Sequence, residues 1–140
     1  MGYEFDYIDK KDVLGADVKS GIHATILSGL FLGIDSNGDA VLASNVVGAT
    51  LCAARGASYA DGSHGTSSKI VNDTRASLVR TGKISGYSGL TPGADVYLSS
   101  GGGISQVVPT GSGSGYLKQV VGFALAADVI WVDISPAVVL

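Results

Sequence analysis

At 140 residues, 46% hydrophobic and 15% charged, with a formal net charge of −3, the chain fits one domain built on one core. Charge lies well under the roughly 25% typical of soluble domains, which fits either a small β protein turned by Gly and Ser or a surface partly covered by other subunits. The only adjacent basic pair, Lys10-Lys11, is flanked by Asp9 and Asp12, and no segment reaches the roughly 18 apolar residues of a membrane helix, so neither nucleic acid nor a membrane is an expected partner. Glu4 and Asp6, with no basic segment before an apolar run, argue against a secretory signal.

The chain begins with alternating aromatic and acidic residues, Tyr3-Glu-Phe-Asp-Tyr-Ile8. Period two places Tyr3, Phe5 and Tyr7 on one face of an extended segment. Two placements satisfy that face: a first strand packed on the domain's own core, or an arm that packs on a neighbouring protein. The arm is the expectation adopted, with residues 1–20 outside a single β domain over 21–140. On that reading removal of residues 1–8 leaves the domain folded. Asp9 to Ser20 is polar and broken by Gly15; Asp9 and Asp12 can cap a helical turn, but not a long helix.

Leu30-Phe-Leu-Gly-Ile34, Asp35-Ser-Asn-Gly-Asp39 and Ala40-Val-Leu-Ala43 predict a β-hairpin over 30–43, with Asn37-Gly38 as a type I′ turn. Val46 to Ala54 reads as a buried strand, and Cys52 within it as a small buried hydrophobe; one cysteine makes no internal disulfide. Residues 55–69, rich in Gly, Ser, Asp and Thr, read as a long surface loop. Thr74 to Arg80 is a further strand, continued briefly by Lys83 to Tyr87. Thr91-Pro92-Gly93 is a turn with Pro92 setting its own φ and Gly93 free to take φ > 0. Val96-Tyr-Leu98, Gln119 to Ala126 and Val129 to Ile134 are strands between Gly-rich turns. Seven to nine short strands with turns every 8–12 residues predict an all-β fold, a small antiparallel β-barrel or sandwich.

The candidate chemistry is thin. Asp35-Ser-Asn-Gly-Asp39 has oxygens at three calcium-loop positions, but Ala40 stands where Gly is required and Val46 where Glu is required. Thr81-Gly82-Lys83 lacks the earlier Gly and following Ser/Thr of a phosphate loop. Asp61, Ser63 and His64 crowd one loop, whereas a catalytic triad needs separate rigid elements. His23, His64 and Cys52 lack paired-ligand spacing for zinc. No catalytic residue, metal or cofactor is therefore expected, and an enzyme is the least favoured class. Trp131 stands out instead. In Val129-Ile-Trp-Val-Asp-Ile134 the face with Ile130, Val132 and Ile134 is the natural core face, which turns Trp131 outward beside Asp133; the inverted assignment would make Trp131 core. The candidate partner-contact residues are Tyr3, Phe5, Tyr7 and Trp131.

Gly89-Leu-Thr-Pro-Gly-Ala-Asp-Val-Tyr-Leu-Ser99, Val107-Val-Pro-Thr110, Gln119-Val-Val-Gly-Phe-Ala-Leu-Ala126 and Ile130-Trp-Val-Asp-Ile134 together resemble a β module of tailed-bacteriophage head and tail structural proteins. The earlier half more weakly resembles phage capsid decoration, or cement, proteins; the 55–69 loop and the aromatic N-terminus depart from them. That resemblance implies a protein on the outer surface of the virion head, commonly a homotrimer, bound to the major capsid protein and stabilising the shell. The alternative is a tail- or fibre-associated module that binds a host-surface ligand, such as carbohydrate, through exposed aromatics.

Overall fold

The computed structural model describes residues 4–17, 29–45, 52–59, 75–109 and 116–140. Among them are thirteen strands and no α-helix. The excess over seven to nine comes from very short pieces and from segments that the sequence presents as one. A six-stranded antiparallel sheet has the order β1 (Glu4–Ile8), β7 (Thr81–Ser85), β12 (Val129–Asp133), β11 (Val120–Ala126), β8 (Asp95–Leu98), β9 (Ile104–Ser105). A five-stranded antiparallel sheet runs β2 (Val13–Asp17), β6 (Arg75–Val79), β5 (Gly56–Tyr59), β3 (Phe31–Ile34), β4 (Ala40–Leu42). A two-stranded ribbon pairs β10 (Leu117–Lys118) with β13 (Val138–Val139). Among the described residues neither sheet closes on itself, which allows a sandwich and not a closed barrel.

One apolar cluster joins the sheets. Phe31, Ala57 and Val79 enter it from the smaller sheet; Ile84, Val96, Leu98, Val121, Ile130 and Val132 enter from the larger. All nine are fully buried. At about 25 cal/mol per Å² of apolar surface removed from water, this cluster is the main source of stability.

Residues 4–17 correct the expectation of an arm for that part of the chain. β1 pairs with β7 and β2 with β6, both antiparallel. The chain crosses between sheets twice at the same corner, after Ile8 and at Arg80. Asp9 caps a 3-10 turn over Lys10–Asp12, its carboxylate accepting from the Lys11 N–H at 3.1 Å. The Asp9 N–H donates to the Thr81 carbonyl at 3.0 Å and the Arg80 N–H to the Asp12 carbonyl at 3.1 Å. Residues 4–17 thus form one bent ladder with 75–85. Of the stretch read from sequence as a strand and its continuation, Arg75–Val79 joins the smaller sheet and Thr81–Ser85 the larger. Residues 4–17 belong to the domain.

Phe5 is part of the core at 7% exposure, whereas Tyr7 is 50% exposed. Strict alternation would put them on one face. The register shifts between them: Phe5 lies opposite Ile84 and Tyr7 opposite Lys83, leaving Asp6 as the extra residue of a β-bulge. The bulge and the exposed Asp6 carboxylate also blunt this sheet edge against pairing with another chain.

The first part of the loop expected over 55–69 is strand instead. Gly56 to Tyr59 is an interior strand of the smaller sheet, between β3 and β6, with Ala57 and Ser58 fully buried. A Cβ at Gly56 would lie 2.8 Å from the Leu78 Cβ, so only glycine allows this approach. The rest of that loop, with Asp61, Ser63 and His64, lies outside the described residues, as do His23 and residues 46–51.

The turns follow local chemistry. Gly93 has φ +83 and the Ala94 N–H bonds the Thr91 carbonyl at 3.2 Å, the type II turn that Pro92-Gly93 predicts. The Gln106 side chain holds it, accepting from the Thr91 N–H at 2.7 Å and donating to the Thr91 carbonyl at 3.0 Å. The 30–43 hairpin forms, but not through a type I′ turn. Gly38 donates to the Asp35 carbonyl at 3.0 Å with φ +84, so Ser36 and Asn37 are the central residues and Gly38 closes the loop. The Asp35 carboxylate selects this longer loop by accepting from the N–H groups of Asn37 and Asp39, at 2.9 and 3.0 Å.

Candidate functional site

On β12, Ile130 and Val132 are fully buried and Ile134 packs against the core. Trp131 occupies the opposite face and is half-buried, with Asp133 exposed beyond it. The outward assignment of Trp131 therefore holds, and the inverted one does not. Strand registers align its neighbours into a row across the larger sheet. Tyr7 lies opposite Lys83, Lys83 opposite Trp131, Trp131 opposite Phe123, and Phe123 opposite Asp95. Each belongs to a different strand, so the backbone ladder fixes their spacing.

Tyr7 and Trp131 are two strands apart, which sets their backbones roughly 10 Å apart. Their ring centroids are nevertheless 5.8 Å apart with planes 13° from parallel. The side chains therefore lean toward one another across β7 and stack. Such a pair is worth about 0.5–1.5 kcal/mol beyond its burial, and it holds the two rings against each other. Phe123 at 36% and Leu125 at 45% exposure extend the apolar surface along β11. Gly122, in register with Val132, lets β11 approach closely; a Cβ there would collide with the Trp131 carbonyl oxygen.

Of the four residues expected to contact a partner, Tyr7 and Trp131 come together on this face. Phe5 is turned away into the core and cannot serve. Tyr3 lies outside the described residues. Phe123, Leu125 and Lys83 belong to the same face but were not singled out from sequence. A signal for two of them was present: in Gly122-Phe-Ala-Leu-Ala126 the large apolar side chains alternate with small ones, and the small set points inward.

Cys52 is half-buried, its Sγ 3.7 Å from the carbonyl oxygens of Ile34 and Ala53. Burial pushes its thiol pKa up, the Arg55 guanidinium opposes this, and the Asp35 carboxylate adds to it. A raised thiol is a poor nucleophile at neutral pH. Among the described residues, no group of three or more His, Cys, Asp or Glu is placed to hold a metal ion, and no helix is long and apolar enough to cross a membrane. No protein-family model matches the chain, and no curated protein matches it.

Proposed function

We propose that this is a non-enzymatic structural protein of a phage virion, bound through the outer face of its larger sheet to the major capsid protein on the outside of the head. The observation that carries the reading is the Tyr7–Trp131 stack, continued by Phe123 and Leu125, on a face held rigid by four strand pairings. Aromatic anchors already fixed in position lose little conformational entropy on binding. A shell-stabilising protein needs this kind of surface and no reaction chemistry. Many copies, each weak singly, act together once fixed in a lattice, because each spans a junction that must open under internal pressure. The phage assignment, the head rather than the tail, and a homotrimer rest on the resemblance of residues 89–134 to phage structural modules.

The test is incorporation into heads assembled from the major capsid protein encoded with it. Wild-type protein should co-sediment with heads. Tyr7→Ser combined with Trp131→Ser should reduce occupancy at least about tenfold, the loss of one or two hot-spot contacts, while the variant stays folded. Wild-type protein absent from heads removes the proposal; undiminished occupancy of the double variant moves the contact to another face. The same stacked pair also favours the second reading, a tail or fibre module, because flat paired rings on a sheet suit the apolar face of a sugar. Glycan binding abolished by Trp131→Ser, together with absence from heads, would select it.

A further inference from the structure

A second feature lies apart from the aromatic row. Residues 53–55, the corner at Arg80, β10 and the segment after β12 enclose an open cleft of about 580 Å³. Its volume falls within the range of small-ligand and peptide sites, roughly 300–1,000 Å³. Arg55 and Arg80 both line it, and no Asp or Glu is among its described lining residues. The protein carries a net charge of −3; this cleft is lined instead by two basic residues, with Asp12 paired to Arg80 from outside the lining.

Two of the lining residues, Arg80 and Gln119, are held by polar contacts. Arg80 sits at the corner where the chain passes between sheets, and its Nε lies 3.6 Å from the Asp12 Oδ1. The other Asp12 carboxylate oxygen accepts from the Thr81 hydroxyl at 2.9 Å. Asp12 and Arg80 are each nearly half exposed, so their ion pair adds little stability; its effect is to orient the guanidinium. The Gln119 amide lines the cleft with both its N–H groups engaged. It accepts from the Ala54 N–H at 2.7 Å and donates to the carbonyls of Ala54 and Ser135 at 2.8 and 2.9 Å. The charged side chains lining the cleft are therefore Arg55 and Arg80, the second of them shared with Asp12. Leu117, Ile134 and Pro136 supply apolar wall.

We infer that this cleft binds a carboxylate carried on an extended, partly apolar peptide segment of a partner protein. Guanidinium forks match the planar two-oxygen geometry of a carboxylate, and the apolar wall suits the side chain beside it. A polyanion is disfavoured by the protein's net negative charge. The site is independent of the aromatic row, and its variants differ from those that test that row.

The experiment is a titration of ¹⁵N-labelled protein, observed by amide chemical shifts, with N-acetyl-valyl-leucine as the free acid. Its C-terminal amide and inorganic phosphate serve as comparison probes. The free acid should shift the amides of Ala54, Arg55, Ala137 and Val139 saturably and bind at least about tenfold more tightly than either comparison probe, as expected when charge-assisted pairing dominates. Arg55→Gln and Arg80→Gln should each weaken it by about tenfold without a change in melting temperature, and Trp131→Ser should leave it unaltered. Equal binding of acid and amide, equal binding of phosphate, shifts that map elsewhere, or arginine variants that bind as wild type would each overturn the assignment.

Discussion

Replacing Gln119 by Leu tests how the sheets and the terminal ribbon are joined. Gln119 is 2% exposed, and its amide bonds the backbone of Ala54, 65 residues away in sequence, and of Ser135. Leucine keeps most of the volume but removes one acceptor and two donors. The Ala54 N–H, the Ala54 carbonyl and the Ser135 carbonyl then lose their partner. Both residues border the cleft, but Ala54 is only 1% exposed, whereas Ser135 is half-buried, so that water replaces the amide there at small cost. Counting only the two Ala54 groups, at about 1–2 kcal/mol each, the loss is about 2–4 kcal/mol. An unfolding entropy near 2.1 cal/mol/K per residue converts this to a melting temperature lower by about 7–14 °C. Urea unfolding followed by Trp131 fluorescence, with calorimetry alongside, measures both quantities.

Gln119→Glu sharpens the test. Its carboxylate still accepts from Ala54 but faces two carbonyl oxygens without a proton to donate. Burial and those oxygens raise its folded pKa above the unfolded value. The folded state then binds the extra proton, so stability is full below the unfolded pKa and falls as pH rises through the folded one. A Gln119→Leu variant within about 1 kcal/mol of wild type, or a Gln119→Glu variant whose stability does not improve on acidification, refutes the role assigned to this amide.

Two further outcomes check the N-terminal ladder and the glycine turn. Phe5→Ala should destabilise the protein by about 3 kcal/mol in urea unfolding, because Phe5 belongs to the core; a cost near zero would restore the arm. Gly101 and Gly102 have φ +64 and +78, but a Cβ meets nothing within 4 Å at Gly101 and lies 2.8 Å from the Phe31 carbonyl oxygen at Gly102. Gly101→Ala should cost about 1 kcal/mol and Gly102→Ala at least about twice that; equal costs in parallel denaturation curves would remove the steric argument.

The amino-acid order alone determined those features that neighbouring residues settle among themselves. Turn chemistry at Thr91-Pro92-Gly93, the hairpin over 30–43 and the two faces of Val129 to Ile134 are each decided within a few residues, by φ preferences and period-two alternation. The all-β class follows from their sum. Tertiary structure decided what depends on partners distant in the chain. The bulge at Asp6 exists only because β1 must match the register of β7, and it sends Phe5 inward and Tyr7 outward. Gly56 to Tyr59 becomes an interior strand because small residues fit between β3 and β6, although they lack the aliphatic run that marks a strand in sequence. The aromatic row assembles because four strands from both ends of the chain align Tyr7, Lys83, Trp131 and Phe123, and the arginine cleft because Gln119 draws residue 54 against the segment after β12. Alternation specifies which way a side chain points relative to its own strand; only the pairing of strands specifies which other side chains it meets.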